Sequence, residues 1–502
     1  MTSDISRPHF PLPARAVWLV PVLWTLALGL WGLSRQDSVW RDEAATWQVA
    51  GRSVADIGRM LGNVDAVHGL YYLLMHGVFE VFGASTASLR LPSVLGVAVA
   101  AGCVAVIGRR LAGPWAGLGG GLALGLLPAV QFHLQEGRPY ALVAAGAGLS
   151  TLLLVGALPG GRPGWLRGGW PRWGWLRRGW PRWAAYGGLV LVCALLNWLS
   201  LLLLPAHAAT LWWVRAGRAV WTRWAAASAA AVAGALPLVL FSRGQSDQVS
   251  WIPPLTWHML IGPAVLLAIG GVGALLDRPR GRRPSVAAVG LPLLAVPQLA
   301  LVGLSLVQPL FLDRYVLFSL LGLALLIGAA LGAGVRELAR RPRTARAAGL
   351  LVPVVVAAAV LALLPVELGK RAPSSRVDDV LAVSREVARL KRAGDAVVFV
   401  PAARRDTALV SPGRFAGLDD VALARTPVDS ATLKGEEADP ARIRAAMLGQ
   451  RRILLVTDAA RVAKPASAER DRTKLAVLRE RFTPVVDEQV RGRRVTVWER
   501  RA

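Results

Sequence analysis

Charge is scarce in this chain. Asp, Glu, Lys and Arg supply 18% of its 502 residues, where soluble domains carry about 25%, so a single water-soluble globule is excluded. Cysteine is nearly absent. Cys103 and Cys193 are the only two, and both sit inside long apolar runs. They make no disulfide scaffold and no Cys-rich zinc site, and each behaves as a small hydrophobe. Neither G-x-G-x-x-G nor G-x-x-x-x-G-K-[ST] stands at a strand–helix junction, which excludes a soluble nucleotide-binding engine. Acids are also few beside bases, 31 against 58, for a net charge of +27. That excess alone would suggest nucleic acid. The arginines, however, punctuate apolar segments instead of forming one stripe. This is the distribution of a polytopic membrane protein, and no nucleic-acid partner is expected.

What is abundant is apolar sequence, 54% of the chain. A membrane-spanning helix takes about 20 mostly apolar residues. Eleven runs qualify, near 16–33, 89–107, 114–132, 139–157, 183–197, 199–214, 224–241, 256–275, 285–307, 315–334 and 347–366. The fifth and sixth are short, with Asn197 and Ser200 at the turn between them. A further run, 69–83, is too short to span comfortably and holds Tyr71, Tyr72, His76 and Glu80. It reads as a helix lying at the interface. With that assignment the arginine-rich connections (Arg109–Arg110, 162–182, Arg215 to Arg223, 278–283, 336–346) all fall on one side. By the positive-inside rule that side is cytoplasmic. The expectation is a multi-pass protein of the cytoplasmic membrane, N-terminus in, C-terminus out. No cleaved signal peptide is recognised, since no A-x-A site follows the long first run. The repeat at 164–183, GWLRGGWPRWGWLRRGWPRW, reads as an anchor on anionic membrane lipid in preference to a partner-docking site.

After Leu368 the composition changes. Residues 374–392 carry apolar positions at three- and four-residue steps. Residues 396–400 and 453–456 read as buried strands, 468–481 as a helix, and 485–486 and 495–498 as strands. The expected fold is therefore an α-helical polytopic membrane domain, 1–368, followed by a small soluble α/β domain, 369–502, outside the cytoplasm.

Three outer features carry ionisable residues. Asp42 and Glu43 follow Trp40 in the long first connection, 34–68. A carboxylate held near the bilayer surface can take a proton from an acceptor hydroxyl. The second is Gln135-Glu136-Gly137-Arg138-Pro139-Tyr140, and the third Asp313-Arg314-Tyr315. Arg90 stands just before the second span. Taken singly, terminal arginines snorkel and adjacent acids are solvated. Together they lie on one side of the membrane, where Arg can hold a phosphate bidentately and Asp can serve as base.

The order W-R-D-E-A, V-H-G-L-Y-Y-L-L-M-H, S-L-R-L-P-S, Q-E-G-R-P-Y-A-L and D-R-Y-V-L resembles the GT-C membrane glycosyltransferases, in particular the bacterial protein-mannosyltransferase and aminoarabinose-transferase-like group. The resemblance covers roughly 16–335. It implies a polyprenyl-phosphate-linked sugar donor used at the outer face, and juxtamembrane helices in the first outer loop, here 69–83. It implies an acidic residue near the acceptor, matching Asp42 with Glu43 beside it. Glu136 and Arg138 match the second-loop site, with Tyr140 following, and Arg314–Tyr315 the element near the carrier phosphate. Arg90, His68 and Tyr71 complete the expected substrate-binding set. This chain has His68-Gly69-Leu70 where relatives often have His-Pro-Pro. Glycine loosens the start of that helix, so His68 reads as structural more than catalytic. Asp42, Glu43 and Glu136 could offer oxygen ligands to Mg²⁺ or Mn²⁺, though no spacing demands a metal. The implied reaction is inverting transfer to an acceptor hydroxyl on an envelope glycan, lipid or protein, with Asp42 as general base. A lipid or glycan flippase and a nonenzymatic assembly scaffold stand as the alternatives.

Overall fold

The structure, a computed structural model, describes residues 13–158, 179–245, 252–277 and 284–501. The Trp/Arg repeat falls outside the described residues up to position 178. In chain order, α1 (Ala16–Leu30) leads to three helices of the first long connection, α2 (Arg41–Ala50), α3 (Val54–Asn63) and α4 (Gly69–Phe82). Then come α5 (Thr86–Ala112), α6 (Pro114–Leu126), α7 (Pro128–Leu134), α8 (Tyr140–Ala157), α9 (Gly179–Leu196), α10 (Leu203–Trp213) and α11 (Arg218–Arg243). The apolar series closes with α12 (Ile261–Leu275), α13 (Ala287–Ser305), α14 (Leu320–Arg340) and α15 (Leu351–Arg371).

Among the described residues seven helices are long and apolar enough to cross a membrane, eight if α6 and α7, bent by 64° at Leu127-Pro128, make one span. The chain is thus a helical polytopic membrane protein. Each of the other three apolar runs is helical too. The 15 residues of α1 reach only ~22 Å at ~1.5 Å per residue, short of a hydrocarbon core of ~30 Å. Trp198–Trp213 is likewise a shorter apolar helix.

Two compact units divide the chain: Met1–Trp31 with Leu91–Glu367, and Gly32–Arg90 with Leu368–Ala502. In the first, helices approach closely where side chains are small. A Cβ added to Gly120 of α6 would stand 2.8 Å from the Ala324 carbonyl oxygen of α14. Van der Waals contact of this kind, not burial of oil from water, holds helices together in lipid.

The second unit is built on a mixed sheet. Its strands are β1 (Ala396–Val400), β2 (Asp419–Asp420), β5 (Arg452–Asp458), β6 (Phe482–Val490) and β7 (Arg493–Arg500), in the order β2-β1-β5-β7-β6. β1 runs parallel to β2 and β5, while β7 is antiparallel to β5 and β6. A small ribbon pairs β3 (Leu423–Arg425) with β4 (Glu436–Glu437). Strand alternation sends Val397, Phe399, Leu454 and Val456 to one core with Val383 and Val387 of α16 (Val380–Leu390). It sends Val398, Ile453 and Leu455 to the other core, with Val477 and Leu478 of α20 (Glu469–Arg481). Three short helices, α17 (Asp406–Val410), α18 (Pro412–Phe415) and α19 (Pro440–Leu448), fill the connections. The expected helix 374–392 begins only at Val380, because the Asp379 carboxylate caps it by accepting from the amides of Leu381 and Ala382.

Candidate functional site

Asp42 and Glu43 occupy the first turn of α2, behind Trp40 at the N-cap, where the helix dipole favours carboxylates. Their surroundings differ. Glu43 is fully buried. Arg90 Nε donates to its Oε1 and Arg90 Nη2 to its Oε2, both at 2.7 Å. The same guanidinium donates to the carbonyls of Leu33 at 2.8 Å and Ser38 at 2.6 Å. Arg35 adds a second cation 3.7 Å from Oε2. Burial pushes the Glu43 carboxyl up, but Arg90, then Arg35, win and hold it at about 2. The loop that delivers Arg35 is strained: Arg35, Gln36 and Asp37 have φ of 48°, 54° and 52°. The Thr86 hydroxyl donates to the Asp37 carboxylate at 3.1 Å, joining this loop to the start of α5.

Asp42, one residue earlier, is half-buried. Its other neighbour, Arg41, is held as firmly as Glu43. Arg41 donates to the Asp378 carboxylate from its backbone amide at 3.0 Å and from Nε at 2.8 Å, and reaches Asp458 at 3.2 Å. Asp378 also accepts from Arg493 Nε at 2.9 Å, and Arg493 grips Asp406 with two further bonds. Burial pushes Asp378 up, and Arg493 and Arg41 bring it below the usual carboxylate range. The main chain is stitched as well. The Val380 amide donates to the Val39 carbonyl at 2.7 Å, and the Val39 amide to Asp379 at 3.3 Å. Asp42 therefore sits between two ion-paired residues, Glu43 in a buried pair and Arg41 in part-buried ones.

His68 stands at the N-cap position of α4, where its side chain makes no capping bond. Its Nδ1 lies 2.7 Å from Asp65 Oδ1, and the Tyr72 hydroxyl donates to the other Asp65 oxygen. Tyr71 is fully buried in the same helix, beside Tyr72 and Met75. His76, one turn on, bonds the Ala50 carbonyl that ends α2.

The remaining expected residues belong to the other unit, where α7 ends and α8 begins. Glu136 is buried and bonded to His133 Nδ1. Arg138 is buried as well. Ser93 on α5 donates to the carbonyl of Glu136 at 2.5 Å, and the Gln135 amide to those of Gly29 and Trp31 at 2.9 and 2.6 Å. Tyr140 meets His133 edge-on at 5.7 Å and Tyr315 at 6.1 Å. The Arg314 guanidinium stands 5.8 Å from the Tyr140 ring and 6.0 Å from that of Tyr315. The Asn197 side chain fixes the Tyr315 carbonyl at 3.3 Å.

Within its unit, then, each half of the expected set is gathered. Glu43, Arg90 and Arg35 share one network, and Asp42 adjoins it in the same helical turn. Glu136, Tyr140, Arg314 and Tyr315 share another. His68 keeps a partner of its own. Sequence reasoning missed Asp65, His133, Asp378 and Arg493. The first two stand three residues before His68 and Glu136, a helical spacing that places side chains side by side. The last two carry no local signal. Among the described residues no three His, Cys, Asp or Glu side chains gather as a metal would need, and Glu43 is already taken up by arginine.

No protein-family model matches the chain, and no curated protein matches it in sequence. Its fold is similar to that of ArnT from Cupriavidus metallidurans in the apo state, at 15% identity and a TM-score of 0.59, over 95% of this chain and 97% of that one. The same protein bound to undecaprenyl phosphate matches at 16% identity and 0.55, over 96% and 98%. The oligosaccharyltransferase of Archaeoglobus fulgidus in the apo form matches at 12% and 0.51, over 89% of this chain and 69% of that one. The structural similarity to GT-C glycosyltransferases thus runs across the whole chain, as a likeness of fold.

Proposed function

We propose that the protein is a membrane glycosyltransferase that moves a sugar from a polyprenyl-phosphate carrier to an acceptor hydroxyl at the outer face of the cytoplasmic membrane. The observation that carries this reading is the first turn of α2. It holds Asp42 half-buried between Arg41, in a part-buried ion pair with Asp378, and Glu43, in a buried one with Arg90, which supplies the rigidity a general base needs. The fold likeness to ArnT, solved with undecaprenyl phosphate, supports the donor class.

In the reaction the acceptor oxygen attacks the anomeric carbon and the bond from that carbon to the phosphate oxygen breaks. The electron pair leaves with the carrier phosphate, and the acceptor proton goes to the Asp42 carboxylate. Attack opposite the leaving group inverts the anomeric centre, through a transition state of oxocarbenium character. Arg314, beside Tyr140 and Tyr315, is the residue to meet charge gathering on the phosphate, with Arg138 and Glu136 just before Tyr140 in sequence. Glu43 and Arg90, saturated by one another, position the base. Asp65 orients His68 and accepts from Tyr72, with Tyr71 buried in the same helix. Eleven crossings follow if α1, α9 and Trp198–Trp213 join the other eight, with the N-terminus inside and 369–502 outside. The spans between 89 and 334 would then line the isoprenoid groove. Exposed Leu73, Leu74, Val81 and Phe82 on α4 support a helix lying in the interface.

The test is lipid analysis of cells lacking the protein, rescued by wild type or by Asp42→Asn. Polyprenyl-phosphate sugar should accumulate and clear only with wild type, while both proteins reach the membrane equally. Rescue by both without accumulation would favour a flippase or scaffold instead.

A further inference from the structure

The sheet of the second unit carries a crevice of about 580 Å³ that the transfer step leaves unused. It lies where parallel β1 and β5 end, at Val400-Pro401 and Thr457-Asp458, the position at which α/β sheets open to ligands. Leu455, Thr496 and Trp498 line it from the sheet, and Leu475 and Arg479 from α20. Arg41, the residue before Asp42, borders it as well. Its volume falls inside the ~300–1,000 Å³ of small-ligand sites.

The charge inside is one-sided. Asp458 is engaged by Arg404 at 2.7 Å and Arg41 at 3.2 Å, and Asp471 by Lys474 at 2.8 Å. Both carboxylates of the lining are thereby neutralised. Lys464 and Arg479 also line the crevice, and among the described residues neither has a carboxylate in ion-pair range. Two uncommitted cations next to an indole and aliphatic side chains suit a ring with an apolar face and a negative group.

We propose that this crevice binds the acceptor of the reaction above, as a saccharide bearing a phosphate or carboxylate, with the anion on Lys464 and Arg479 and the ring against Trp498. The assignment to the acceptor rests on the transferase reading. Arg41 at its border is the residue before Asp42 in the first turn of α2, so that one element, α2, serves both crevice and proton transfer.

Equilibrium dialysis of the full chain in lipid nanodiscs tests it, with radiolabelled trehalose, trehalose 6-phosphate, a glucuronate-containing disaccharide and inorganic phosphate. An anionic disaccharide should bind about tenfold or more tighter than trehalose, since charge-assisted contacts are the strong ones. The preferred anion identifies phosphate or carboxylate. Lys464→Gln with Arg479→Gln should erase that preference; both residues are exposed, so folding is not at stake. Equal binding of charged and neutral sugars, an unaffected double variant, no binding at all, or inorganic phosphate binding as well as the sugar phosphate would each overturn the proposal. Because nothing turns over, the two readings fail separately. Anion-selective binding with full transfer by Asp42→Asn removes the base and keeps the crevice. Lost transfer without anion selectivity removes the crevice and keeps the base.

Discussion

Arg90→Ala should loosen the second unit without touching its sheet. The Arg90 guanidinium makes two bonds to Glu43 and one each to the carbonyls of Leu33 and Ser38, all between 2.6 and 2.8 Å. Removing one partner of a buried ion pair costs ~3–5 kcal/mol. The acid side of the pair gives a matching figure. Each tenfold in proton affinity is ~1.4 kcal/mol, so the fall of Glu43 from 4.5 to about 2 on folding corresponds to ~3 kcal/mol. Because the folded value is the lower one, this stability is complete above about pH 4.5 and is lost as pH drops toward about 2. Pulse proteolysis of the full chain in nanodiscs reads the open population. At pH 7, Arg90→Ala should raise cleavage within 32–90 and 369–502 by roughly two decades or more. Glu43→Gln with Arg90→Met, which leaves no buried charge, should be milder than Arg90→Ala alone. Cleavage of Arg90→Ala at the wild-type rate, or a double variant worse than the single, would refute the reasoning.

Arg314→Ala should raise the apparent KM for the lipid-linked donor by about tenfold or more and leave the acceptor KM unchanged; steady-state kinetics with each substrate varied decides. Gly120→Leu should drive α6 from α14, since its first added carbon already meets the Ala324 carbonyl oxygen at 2.8 Å. The loss should appear as a lower thermal midpoint in detergent, while Gly58→Leu, with open space around it, should leave the midpoint in place.

The sequence disclosed what repeats. All eleven apolar runs became helices, because burying backbone polar groups in lipid leaves the helix as the solution for a single chain segment. Strands β1 and β5 were equally plain, being continuous in apolar residues. What stayed hidden depends on partners far along the chain. The loop 34–68 reads as polar and open, yet it folds into α2 and α3. Glu43 looks like a solvated acid until Arg90, 47 residues on, encloses it. Asp378 has nothing to announce it locally. Its role is defined by Arg41, 337 residues earlier, and Arg493, 115 later. The ribbon of β3 and β4, at three and two residues, is too short for alternation to register.

The bond between the Val380 amide and the Val39 carbonyl also sets a schedule for biogenesis. Residues 32–90 leave the ribosome early, but the segment that completes their ion pairs is made some 340 positions later. At ~5–20 residues per second that interval is roughly 20–70 s. Throughout it Glu43 has Arg90 for company, while Arg41 waits for Asp378. A chain stopped before Leu368 would therefore hold α2 through Glu43 and Arg90 but lack the Arg41–Asp378 pair. The arrangement makes translation to the last strand a condition for a finished first connection.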